Sequence, residues 1–275
     1  MNKSANQFEH VRPPAVAGQF YPRHPDELCG LITDFLRQVK PDDAAAPKAV
    51  IAPHAGYLFS GPIAASACAR FVPDRDHIQR IILIGPSHYV AFDGLAASSA
   101  EAFATPLGLV PVDTGVVRRI CSLPQVSPLD EAHAREHSLE VHLPFLQVVL
   151  NNFKIVPLVV GDASDADVAE VIAALWGGPE TRFVISSDLS HYHRYAEARK
   201  LDLATSRAIE QLHPEAISEP QACGRIPIRG LLRAARQHGL RARTVDLRNS
   251  GDTAGPRNQV VGYGAFVLEE PAASG

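Results

Sequence analysis

The chain has 275 residues, 46% of them hydrophobic, which is enough to bury a sizeable core and sits at the upper end of what one α/β domain holds; a single domain over residues 1–275 is expected. A formal net charge of −4 excludes long-range attraction to nucleic acid or to an anionic membrane, so any charged partner has to be met by a local patch. The polar start "MNKSANQFEHVRPP" lacks the apolar centre of a secretion signal and the longest apolar runs are too short to span a bilayer, so a cytoplasmic protein is expected.

In chain order, "DELCGLITDFLRQV" (26–39) has apolar residues at helical spacing, and "KAVIAPH" (48–54) and "RIILIGPSH" (80–88) are continuous apolar runs of strand length. A further run, "KIVPLVVGD" (154–162), precedes the helical pattern "DADVAEVIAALWG" (165–177), and "RFVISSDLSH" (182–191) precedes "AEARKLDLATSRAIEQL" (196–212). Then come the helical "PIRGLLRAARQHG" (227–239) and two strand-like segments, "RARTVDLRNSG" and "QVVGYGAFVLEE", joined by a loop of Gly, Asn and Pro. Continuous rather than alternating runs suit strands covered on both faces. The fold class is α/β, with a central mixed, largely parallel sheet flanked by helices. No repeat or low-complexity linker interrupts it, and residues 1–10, 40–47 and the last few are expected to be mobile.

Ligands of open α/β sheets bind beyond the carboxyl ends of the strands, and three of the four central runs finish in a histidine: His54, His88 and His191. A lone histidine there is more often a hydrogen-bonded packing residue, but three that converge on one edge can form a metal site or an acid and base pair. A second cluster, "EAHAREHSLEVHLPFLQ" (131–147), places His133, His137, Glu136, Glu140 and His142 at the start of an expected helix, where His133 and His137, and Glu136 and Glu140, lie four apart and can share a face. It is not HExxH, so it carries no metalloprotease motif, and a polar helix start explains it equally well.

The cysteines, Cys29, Cys68, Cys121 and Cys223, show no paired spacing, which excludes a disulfide framework or a CxxC metal knuckle. Three read as ordinary buried thiols. Cys223 lies beside Gly224 and Arg225 before a helix, where positive charge and a helix N-terminus favour thiolate; the spacing equally allows an unreactive loop cysteine. Arg229, Arg233 and Arg236 read as a solvated basic face, and no interleaved aromatics suggest nucleic-acid binding.

Taken together, "RPPAVAGQFYP", "APHAGYLFSGPIAA", "IGPSHYV", "EHSLEVHLPFLQ", "SSDLSHYH", "CGRIPI", "NSGDTAG" and "VVGYGAF", which run in order almost end to end, resemble the Memo family, including the members known as AmmeMemoRadiSam system protein B. The resemblance implies a fold similar to LigB-type, class III extradiol dioxygenases. It implies that His54, His88 and Cys223 line a metal pocket, with His191 as the dioxygenase-like catalytic base and Asp188 as its neighbour. Tyr57, Tyr89, His137, Glu140 and Arg225 are candidates for shaping the pocket or orienting substrate.

Two histidines and a thiolate depart from the two-histidine, one-carboxylate set of an extradiol Fe(II) site; they suit iron, copper or zinc and disfavour ring cleavage. The leading expectation is therefore a metal-dependent redox enzyme using iron or copper on a small-molecule or peptide substrate. The alternatives are a phosphopeptide-binding module in which Arg225 helps to accept an anion, and a zinc-dependent hydrolase. The resemblance also implies a functional link to a radical SAM protein and an Ammecr-type protein. The chain has no CxxxCxxC motif of its own, so it is not the radical SAM component.

Overall fold

The apolar runs fold as strands that are buried along almost their whole length, as the absence of alternation requires. The computed structural model describes residues 8–40, 42 and 44–271. Its first half contains β1 (Val11–Arg12), α1 (Pro25–Arg37), β2 (Ala49–Ala52), α2 (Tyr57–Cys68), β3 (Arg80–Pro86), β4 (Leu95–Ala97), β5 (Ala102–Thr105) and β6 (Gly108–Pro111). There follow α3 (Thr114–Ile120), β7 (Val126–Pro128), α4 (Asp130–Ala134), α5 (Leu143–Val149), β8 (Lys154–Val160), α6 (Asp165–Ala174) and β9 (Thr181–Ser186). The chain closes with β10 (His191–His193), α7 (Tyr195–Glu210), α8 (Arg225–Gln237), β11 (Arg241–Asn249) and β12 (Val260–Glu269).

The main sheet is mixed and runs β10-β12-β2-β9-β3-β8-β4-β7, with β11 also paired to β12. Strands β2, β9, β3 and β8 are parallel neighbours. The C-terminal pair β11 and β12 is an antiparallel hairpin, and β12 joins it to β2 antiparallel. A smaller sheet, β1-β5-β6, packs the N-terminal segment against the middle of the chain. Because β9 is inserted between β2 and β3, the carboxyl ends of three central strands lie side by side. No helix among the described residues is long and apolar enough to cross a membrane.

Several expectations change in three dimensions. The central strands stop at Ala52, Pro86 and Ser186, so His54 and His88 lie in the turns beyond them, while His191 begins the separate strand β10. The expected helix start over 131–147 is broken: α4 ends at Ala134, and the backbone N–H groups of His137 and Ser138 turn to the Glu136 carboxylate at 2.9 Å each instead of to a helical carbonyl. His133 and His137 therefore do not share a helix face.

The expected basic face of α8 is largely an ion-paired contact. Arg229 and Arg233 both reach Asp165 at the start of α6, 3.0 Å away, and Arg236 lies 3.4 Å from Glu215. Asp165 follows a capping box in which Ser164 and Asp167 satisfy each other's backbone, so the acidic end of α6 is held for these arginines. Of the thiols expected to be buried, Cys68 is buried, Cys121 partly so, and Cys29 is exposed on α1. Within the segments expected to be mobile, residues 1–7, 41, 43 and 272–275 lie outside the described residues.

Candidate metal centre

The site is assembled from the turns beyond β2, β9 and β3. Asp188, just past β9, accepts the backbone N–H of His54 at 2.8 Å and so fixes the turn after β2. Ser138 reaches over from the segment after α4, and its hydroxyl donates to the Pro86 carbonyl at the end of β3 at 2.8 Å. That approach needs Gly85, because a Cβ there would lie 2.9 Å from both the Ser138 hydroxyl and Leu139. Cys223 arrives on the loop before α8, where the Gly224 N–H donates to the Ser187 hydroxyl at 2.9 Å; a Cβ on Gly224 would lie 2.5 Å from the Ser186 carbonyl oxygen. Both glycines are demanded by close packing, against side chains at Gly85 and against the Ser186 carbonyl and Ser187 side chain at Gly224, rather than by an unusual φ.

The result is that His54, His88 and Cys223 each offer a ligand atom, all within 4.8 Å of one another. Cys223 Sγ is 3.3 Å from His54 Nε2. His88 has its backbone N–H and its Nδ1 on the two oxygens of Glu136, at 2.6 and 2.8 Å. An ionised carboxylate only accepts, so His88 carries a proton on Nδ1, which leaves Nε2 as the ring atom available to a cation; this carboxylate–histidine pairing is the usual outer support of a metal-binding imidazole. A third ring, His137, stacks on His88 with centroids 4.6 Å apart and packs against Phe20 at 4.8 Å. His88, Glu136 and His137 also converge, but Glu136 already accepts four N–H groups, which commits its oxygens.

The electrostatics follow from burial. Burial, reinforced by the neighbouring imidazoles, pushes His54 well below its ordinary range, so the ring is neutral. Burial works against the Glu136 charge, but the hydrogen bond from His88, its partial charge and the backbone donors outweigh it and hold the carboxyl at about 2. Asp188 is pushed up to about 7, mainly by burial. The Cys223 thiol is pushed up to about 12, by burial first and by Asp188 next. With no ion beside it, burial and the neighbouring Asp188 thus favour the thiol and work against the helix end, which favours thiolate.

His54, His88, His137, Asp188 and Cys223 line a cavity of about 740 Å³ together with Arg225 and His191. Burial lowers the His191 pKa, and the ring stands on β10, paired to β12. Its neighbour Asp188 serves the His54 turn, as its bond to the His54 N–H shows. Arg225 faces the cavity with no carboxylate in ion-pair distance among the described residues. Tyr89 is outside the lining and 48% exposed, with its ring edge-on to His137, which does line the cavity, and Arg135 stacked over it.

Two further candidates, Tyr57 and Glu140, also lie outside the cavity lining. Tyr57 is buried between Tyr21 and Phe145 and donates its hydroxyl to the Val141 carbonyl at 2.6 Å. Glu140 is fully buried and accepts from Arg12, from the backbone of Ala15 and Val16, and from the Tyr21 hydroxyl. Both hold the N-terminal segment that delivers Phe20 to the cavity wall. Sequence reading passed over Ser186, which supports the His54 ring, and Phe59, Tyr192 and Tyr263 in the lining, and it noted Glu136 in the second cluster without its role of supporting His88. Tyr192 adopts a left-handed φ of 61°, which a bulky side chain rarely accepts and which is compatible with the local bulge between His191 and His193.

The family model described as "Memo-like protein" matches residues 12–267. A "MEMO1 family protein" of Aquifex aeolicus is 37% identical over 270 residues, covering 94% of this chain and 99% of that one. Its counterpart in Aeropyrum pernix is 38% identical over 280 residues, covering 93% and 98%, and that of Archaeoglobus fulgidus is 36% identical over 271 residues, covering 94% and 99%.

Proposed function

The chain belongs to the Memo family, and from that premise we propose that His54, His88 and Cys223 hold one iron or copper ion in a redox enzyme acting on a small molecule or peptide. The observation that carries this reading is the convergence of three donor atoms within 4.8 Å at the wall of a cavity of about 740 Å³. The donor chemistry fits: two neutral imidazoles and a sulfur suit iron, copper or zinc, and three protein ligands leave room for another. The bound ion would supply one-electron chemistry and polarise a substrate atom beside it.

The protein's own residues do the rest. His191, also in the cavity lining, would take or release a proton at its ring nitrogen, a role typically worth about 10²–10⁴-fold in rate. Phe20, Phe59 and Tyr192 supply apolar surface that excludes water, and Arg225 meets any anionic group of the substrate. Both carboxylates near the ligands are committed elsewhere, Asp188 to the His54 turn and Glu136 to His88, which argues against an extradiol-type set and against ring cleavage. The functional link to a radical SAM protein and an Ammecr-type protein belongs to the same proposal.

The test is anaerobic metal titration of the wild type beside His54→Ala, His88→Ala and Cys223→Ser, on protein purified without a chelating tag. One iron or copper per chain, weakened by each substitution, is the expected result. Binding of zinc alone would move the assignment to a hydrolase. Absence of any metal binding would overturn it and leave peptide affinity, measured with and without chelator, to decide for a binding module.

A further inference from the structure

Ser186 ends β9, the strand between the two that carry His54 and His88, and its side chain is fully buried. Its hydroxyl oxygen makes three contacts: His54 Nδ1 at 2.7 Å, His142 Nε2 at 2.8 Å and the Ser138 carbonyl oxygen at 2.5 Å. A hydroxyl has one proton and two lone pairs to distribute among them. The Ser138 carbonyl can only accept, so two oxygens at that distance must have the hydroxyl proton between them; otherwise lone pairs would face each other. Both imidazoles are then obliged to donate, His54 through Nδ1–H and His142 through Nε2–H. A neutral imidazole has a single N–H, so His54 Nε2 keeps its lone pair, and Nε2 is the atom that faces Cys223 Sγ.

We infer that Ser186 is a positioning residue of the metal centre: it fixes His54 in the tautomer that offers Nε2 to a cation, and His142 locks the arrangement by filling the second lone pair. His142 suits that role, because it is fully buried and its Nδ1 has no hydrogen-bond partner, so its bond to Ser186 is what orients the ring. The two histidines of the centre are therefore supported unequally. His88 leans on a carboxylate and becomes the more basic ligand, whereas His54 leans on a neutral hydroxyl whose capacity is exhausted.

The metal-affinity part of this inference rests on the reading of the preceding subsection; the tautomer part does not. Metal-free, full-length protein labelled with ¹⁵N-histidine is examined by long-range ¹H–¹⁵N correlation near neutral pH, with His54 assigned by the loss of its signals in His54→Gln. The expected pattern is a protonated Nδ1 and an unprotonated Nε2. A proton on Nε2 overturns the inference before any metal is added, and this arm does not depend on whether Ser186→Ala folds. In Ser186→Ala, His54 is expected to populate both tautomers and zinc affinity, read by competition with a chromophoric chelator, to fall about 10–100-fold. Zinc affinity within about twofold of wild type in a folded Ser186→Ala protein would overturn the role, since supporting partners of ligand histidines ordinarily cost at least about tenfold. Wild type that shows the predicted tautomer yet binds no zinc, iron or copper would count against the metal reading and leave the hydrogen-bond assignment standing.

Discussion

Replacing Glu140 by Gln tests whether this residue holds the fold or serves the site. Its carboxylate is 0% exposed, Arg12 opposite is 5% exposed, and the two form a buried ion pair. The oxygens also accept Ala15 N–H at 2.7 Å, Val16 N–H at 3.0 Å and the Tyr21 hydroxyl at 2.6 Å. Each oxygen takes two donors, so the NH₂ of a Gln amide confronts either Arg12 and the Ala15 N–H or the Val16 N–H beside the Tyr21 hydroxyl, and in both orientations the Arg12 charge loses its counterion. Breaking one side of a buried, hydrogen-bonded pair costs about 3–5 kcal/mol, and that is the loss expected in urea unfolding of the metal-free chain. The double variant Arg12→Met with Glu140→Leu is expected to be less destabilised than the sum of the two single changes, because it leaves no buried charge behind. Zinc affinity of the folded Glu140→Gln protein is expected to stay near wild type, since Glu140 lies outside the cavity lining. A stability loss below about 1 kcal/mol, the worth of an exposed pair, would refute the reasoning, as would loss of zinc binding at unchanged stability.

Glu136→Gln removes the carboxylate charge behind the His88 Nδ1 proton and turns an NH₂ toward N–H donors, and is expected to weaken zinc binding about 10–100-fold, read by chelator competition. Tyr57→Phe deletes one buried hydrogen bond to the Val141 carbonyl, so about 1 kcal/mol of stability is expected to go with no change in metal affinity; an altered affinity would return Tyr57 to the site. His133 is held at about 4 by burial, below its ordinary 6.5, so the folded ring stays neutral while the unfolded ring takes up a proton as pH falls through about 6.5. The contribution is unchanged above that pH and declines down to about 4, where the folded ring also charges. Between about pH 7 and pH 5, wild type is expected to lose about 2 kcal/mol more than His133→Gln in urea unfolding, and equal losses would refute the assignment.

The parts of the fold that rest on long apolar runs were legible: β2, β3, β8 and β9, together with α1, α6, α7 and α8, fall within a few residues of where periodicity puts them. The short strands β4 to β7 were not. "LAA" and "AFAT" are too brief and too alanine-rich to carry a strand pattern, and they owe their extended form to neighbours in the sheets. Helix α2 escaped for the opposite reason: it is buried on nearly all sides and has no polar face for periodicity to reveal. In the histidine cluster the four-residue spacing was real, but Glu136 drew the following N–H groups into a turn and tertiary hydrogen bonding overrode local preference. The candidate ligands His54, His88 and Cys223 could be named from the family motifs, whereas Ser186 and Glu136 could be recognised as partners of the two rings only once the strand ends were side by side.

Strand order explains why those supports have the residue types they have. With β9 between them, β2 and β3 are next-but-one neighbours, about 10 Å apart at the standard strand spacing, too far for two imidazoles to share an ion unless both lean inward over the end of the middle strand. The ground beneath them must then be low and polar. It is made of Ser186 and Ser187, both fully buried, with Gly224 laid against them, and the His54 and His88 ring centroids meet above at 5.1 Å. A larger residue at Ser186 would fill the space that the rings lean into, and an apolar one would leave the His54 Nδ1 proton without an acceptor. The small hydroxyl side chain meets both demands, and Gly224 meets the third by letting the Cys223 loop come close enough to place a sulfur beside the two nitrogens.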